Sequence, residues 1–195
     1  MSGRDDAGGS PPNGTGVNPH TRLVADALNA IGIRAIECDH VEGGFLDKVL
    51  IDAGEIHYRS DAPPSNLLHE AGHLACIPTA FRPMACGELD EAFEAMGIAI
   101  EQQMDKTGNP DDPLIRAIMQ CSDPEATAWA WAFGVHIGLP PETIILDSEY
   151  DGDGEYVRVQ VSTGNHPGIN GLRAAGMIRS TRDYPKLEKW LQNAE

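Results

Sequence analysis

The chain has 195 residues, 41% of them apolar and 23% charged, which is ordinary for a globular protein and enough for one domain with a real core. Its formal net charge of −16 argues against nucleic acid or an anionic membrane as a direct partner, since both call for a basic surface. Four scattered cysteines with no C-x-x-C, and no apolar run of signal-peptide or membrane-spanning length, make a reduced, cytoplasmic protein the expectation.

Residues 1–18 are rich in Gly, Pro, Ser and Asp and are expected to form a disordered tail, leaving 19–195 as the folded domain. From His20 to Ile31 the apolar residues Leu23, Val24, Ala27, Leu28 and Ile31 recur at helical spacing, and Gly32 ends that helix. Strands are expected over residues 33–38, 48–52 and 55–59, with a turn at Gly43-Gly44. An apolar helix follows the break at Pro63-Pro64, with Ser65 or Asn66 as its cap and Pro78 beyond its far end. Further helices are expected from Glu88 to Met104 and from Pro113 to Met119. Another starts at Asp123-Pro124-Glu125, read as a cap, a first-turn proline and an acid, and runs to about Ile137. The alternation in Tyr156–Val161 and the apolar Ile144–Leu146 suggest a hairpin turning at Asp151–Gly154. A helical region over residues 169–177 and an amphipathic piece over 185–191 complete an α+β chain without internal repeats.

His69-Glu70-Ala71-Gly72-His73 is the segment that carries chemistry. A helix turns about 100° per residue, so histidines at i and i+4 share a face and can offer imidazole nitrogens to one metal ion. Glu70, beside the first histidine, can then reach a water at that metal, which is the arrangement of a hydrolytic zinc site with a glutamate base. Two imidazoles and a carboxylate are costly to bury in an apolar helix without such a role.

A catalytic zinc takes three protein ligands. Cys76 and Thr79 stand where a metzincin would carry its glycine and third histidine, so that class is excluded. The remaining source is a carboxylate on a neighbouring helix. Glu125 is the leading candidate, on a helix whose alanines (126, 128, 130, 132) permit close packing; Asp123, Glu91, Glu94 and Glu101 are the alternatives. His166, Tyr150 and Tyr156 are candidates for contact with substrate or transition state. Glu55–Arg59, taken as an edge strand, is a candidate for pairing with an extended peptide.

The order of helix, Gly32-Ile33, strands, His69–His73 motif, then Glu125-Ala126-Thr127-Ala128-Trp129-Ala130-Trp131-Ala132 with a later Leu139-Pro140 resembles the ImmA/IrrE-type zinc metallopeptidases. The resemblance covers roughly residues 20–141. It implies a zincin-like fold in which the motif helix packs on a second ligand-bearing helix. It also implies zinc held by His69, His73 and Glu125, with Glu70 as the catalytic base. By that likeness the expected activity is limited proteolysis of a protein substrate, a transcriptional repressor by analogy alone. The contrasting expectation is a non-catalytic module, stabilised by metal or acting through its acidic surface.

Overall fold

Asn18 opens helix α1 (Pro19–Ile31): its side chain accepts from the His20 amide at 3.0 Å, and Pro19 sits in the first turn, where its missing amide costs nothing. The computed structural model describes residues 17–194, so the tail expected over 1–18 lies outside the described residues except for its last two. Gly32, at φ +94°, takes the left-handed conformation that ends α1 as expected and turns the chain into the sheet.

The three strands are β1 (Ala35–Glu37), β2 (Val49–Asp52) and β3 (Glu55–Tyr58), in the order β1-β3-β2. β1 runs parallel to β3, with Ala35 opposite Ile56; β2 runs antiparallel, with Val49 opposite Tyr58. A two-residue turn joins β2 to β3, Ala53 and Gly54 both at positive φ, as a type I′ hairpin requires. β3 is therefore the central strand. The expectation that Glu55–Arg59 offers a free edge to a peptide is overturned, because its backbone is paired on both sides.

Eight α-helices and this mixed sheet make the described residues an α+β fold. After the sheet come α2 (Pro64–Cys76), α3 (Asp90–Thr107), α4 (Pro113–Ile118), α5 (Asp123–His136), α6 (Pro141–Ile144), α7 (Gly154–Ser162) and α8 (Pro167–Ala174). α2 begins one residue before the expected caps; Pro63 holds the cap position without a side-chain bond. The helix packs between the sheet and α5, and α8 covers α5 from the other side. α5 is buried around its whole circumference, as a helix enclosed by other elements is: every residue from Glu125 to Gly134 is buried.

Gly72, inside the histidine motif, sets how close α2 and α5 come. A Cβ there would run into the backbone of Ala126. Gly72→Ala is accordingly expected to destabilise the protein by about 1–3 kcal/mol, the usual cost of overpacking, read as a lower urea midpoint at unchanged m-value.

Behind α5 the Trp129 and Phe133 rings stack at 4.8 Å, and Trp190 meets each edge-on at 6.1 and 5.0 Å. The Trp129 indole N–H donates to the Trp190 carbonyl at 2.8 Å, so this buried donor is paired.

One expectation fails toward the C-terminus. The hairpin over residues 144–161 is instead α6, a 3₁₀ turn at Tyr150–Gly152, and α7. Val157 and Val161 are four residues apart and buried, whereas Tyr156 and Val159 are exposed, so the valine spacing serves a helix against its β-branched preference. The amphipathic piece over residues 185–191 forms no regular element. Leu187, Trp190 and Leu191 pack onto the core from an irregular strap, anchored where the Gln192 amide donates to the Ala75 carbonyl at 2.8 Å. Among the described residues no helix is long and apolar enough to cross a membrane.

Candidate metal centre

Because α2 is helical through residues 69–73, His69 and His73 project from one face, and their Nε2 atoms lie 3.2 Å apart. Ser122 ends the preceding segment as the N-cap of α5, so Asp123 occupies the helix's first position and not the expected cap. There its Oδ1 stands 3.2 Å from His73 Nε2 and 3.6 Å from His69 Nε2. These three edges match the spacing between ligands of a tetrahedral ion bound at 2.0–2.1 Å, about 3.3 Å. Among the described residues, His69, His73 and Asp123 form a group of metal-capable side chains whose ligand atoms all fall within 4.8 Å of one another. The donor set, two imidazoles and a carboxylate, suits zinc.

Glu125 takes a different position. Its Oε2 accepts from the Ser122 amide at 3.2 Å and from the Ser122 hydroxyl at 2.6 Å, closing a capping box. Its carboxylate lies against α8, where a Cβ at Gly171 would overlap it. Residues 123 and 125 are about 200° apart around a helix, so one facing the histidines leaves the other facing away. The structure thus brings Asp123 to the histidines and turns Glu125 to α8. Glu91, Glu94 and Glu101, on α3, are not in the group.

The histidines form the floor of the site and Asp123 its rim: side-chain exposure is 18% for His69, 11% for His73 and 78% for Asp123. Hydrogen bonds from His69 and His73 hold the Asp123 carboxyl far below the usual carboxylate range, so it is anionic. His73 Nδ1 is buried and has no partner among the described residues. A ligating histidine usually donates through its second nitrogen, so this ring lacks that support.

Glu70 is 5% exposed, and burial, opposed by His69 and reinforced by Asp123, raises its pKa to about 7; among the described residues no side-chain hydrogen bond offsets this. A carboxyl with a folded pKa above its unfolded value contributes stability below about pH 4.5 that is lost as the pH rises through about 7. Over that interval the metal-free protein should lose about 3 kcal/mol that Glu70→Gln does not lose, a difference measurable by urea unfolding in chelator at pH 4.5 and pH 8.

Two cavities open beside the centre. One, of about 390 Å³, is bounded by His69, Asp123, Ile145 and Tyr150; the other, of about 400 Å³, by Glu70, His73, Asp123 and Glu88. Tyr150 is fixed by a 2.8 Å hydrogen bond with Thr127 Oγ1, and burial pushes its phenol up to about 12, so it stays neutral. It and Asp151 adopt positive φ, +56° and +59°, a strained backbone for non-glycine residues at the edge of the site. His166 lines neither cavity. It caps α8, its Nδ1 accepting from the Gly168 amide at 3.3 Å, and burial lowers its pKa. Tyr156 is exposed on α7 and lines neither. Phe45, Leu46, Glu88 and Asp90 also line the cavities, and nothing in their local sequence pattern marks them.

All four cysteines are free. Cys76 and Cys121 are buried; desolvation raises both thiols, Cys121 to about 12, which keeps them protonated. No protein-family model, curated protein or solved structure matches the chain.

Proposed function

We propose that the protein is a zinc-dependent metallopeptidase of zincin type, in which His69, His73 and Asp123 hold the ion and Glu70 is the general base. The observation that carries this reading is the convergence of two helical imidazole nitrogens and a carboxylate oxygen at 3.2–3.6 Å. A desolvated glutamate lies directly beside them. The zinc would supply a water of lowered pKa and a Lewis acid for the substrate carbonyl.

The chain's own residues account for the rest. Glu70, with a pKa of about 7 in the metal-free chain, is near the value at which a group both accepts and returns a proton at neutral pH. It takes a proton from the attacking water and passes it to the leaving amine. The two cavities give an extended chain a path on either side of the centre, so the substrate is a protein or peptide, cut at limited sites. The element order and the motif support kinship with ImmA/IrrE-type peptidases, with an aspartate at the start of α5 in the role that family gives to a glutamate.

The test is hydrolysis of denatured casein by the zinc-loaded protein, with chelator and Glu70→Gln as controls. Cleavage that disappears in both is expected. Cleavage that survives chelator, or none by protein carrying one zinc per chain, would overturn the reading.

A further inference from the structure

The two cavities beside the candidate centre share Phe45 and Asp123, so they meet at the site, but their walls differ in chemistry. On the His69 side, Leu46, Ala130, Ile144 and Ile145 make the mainly apolar wall of a recess of about 390 Å³, which Glu149 also borders with its Oε2 accepting from the Leu146 amide at 3.0 Å. On the side of Glu70 and His73, the recess of about 400 Å³ is bounded by Glu88, Asp90 and Phe93. Glu88 and Asp90 are exposed, and among the described residues neither has a cationic partner within salt-bridge distance. Asp90 in the first turn of α3 also suits the helix dipole, but Glu88 lies before the helix and has no such use. Glu70, 5% exposed and with no side-chain hydrogen bond to another described residue, adds a third acidic group to this recess.

In an extended peptide successive side chains point to opposite sides, about 3.4 Å apart along the chain. The two residues astride a bond at the centre therefore enter different recesses. We propose that the cleft selects peptides with a bulky apolar side chain on one side of that bond and a lysine or arginine on the other. Phe45 and Phe93, 75% and 39% exposed, line the acidic recess and suit the alkyl stem of a basic side chain whose head meets Glu88 and Asp90. The net charge of −16 favours the same ligand at longer range. The identity of the cut bond rests on the peptidase reading; the recognition does not need cleavage.

The test uses octapeptides with Leu, Phe, Ala or Asp at one central position and Lys, Ala or Glu at the other, in both orders. Cleavage by the zinc-loaded chain is followed by mass spectrometry. Binding of the same peptides, labelled with fluorescein, to the Glu70→Gln chain is followed by anisotropy. Expected are preferences of about tenfold or more for Leu or Phe over Ala, since even one methylene in an apolar pocket gives about tenfold or more. Lys over Glu should likewise be favoured by about tenfold, shrinking at high salt. Glu88→Lys with Asp90→Asn should reverse the charge preference, and Leu46→Asp should erase the apolar one. Biased binding without cleavage would uphold the proposal while the peptidase reading falls. Cleavage with neither preference would overturn the proposal and leave the peptidase reading standing. Absence of both cleavage and biased binding would overturn the two together.

Discussion

Asp123→Ala is expected to weaken zinc binding by more than about 100-fold, since loss of an outer partner of a ligand alone typically costs about 10–100-fold. The fold should survive the change. The Asp123 side chain is 78% exposed, and the Ser122–Glu125 capping box that starts α5 does not involve it. Glu125→Ala separates the two roles. It breaks the capping box and leaves a gap against α8, for a loss of about 1–2 kcal/mol in unfolding free energy, but it should keep one zinc per chain. Competition with a chromophoric chelator measures both variants. Full zinc affinity in Asp123→Ala together with loss in Glu125→Ala would return the third ligand to Glu125 and require α5 to turn about its axis.

Glu70→Gln should lower kcat by about 10²–10⁴-fold with zinc content intact, the range that a positioned acid–base group contributes. The substitution is nearly isosteric and removes a charge that burial disfavours. The same change should therefore stabilise the metal-free protein above pH 7 while it removes activity. That opposite response is the mark of a group kept at a cost for chemistry. A variant with lower activity and lower stability together would speak for a packing role.

The helices around the site follow from local pattern: α1 from its apolar spacing, α2 from the proline break and the motif, and α5 from its acidic, proline-bearing start. The histidine pair and Glu70 need only the 3.6-residue period. The proposed third ligand is not legible to the same degree, because Asp123 and Glu125 both lie in the first turn and the choice depends on how α5 is rotated. Beyond its first turn α5 is apolar on nearly every side, so it carries no face signal that would fix this rotation. The close approaches at Gly72 and Gly171 fix it instead, and those are tertiary facts.

The helix α7, where the alternation over residues 156–161 suggests a strand, has the same origin. Val157-Arg158-Val159-Gln160-Val161 fits period two and the i, i+4 pair equally, and burial of Val157 and Val161 against the core decides for the helix. Likewise β3 reads as a strand from its residues, but its central place depends on its inserting, parallel to β1, between β1 and β2. The cavity walls come from the loop at Phe45-Leu46, the end of α6 and the start of α3, brought together only by the folded chain.

X-ray absorption at the zinc edge of the loaded protein tests the central claim most directly. Two imidazoles and one carboxylate predict a first shell of nitrogen and oxygen at about 2.0–2.1 Å, with imidazole outer-shell scattering and no sulfur near about 2.3 Å. A sulfur shell, or a chain that takes up no zinc, would contradict it.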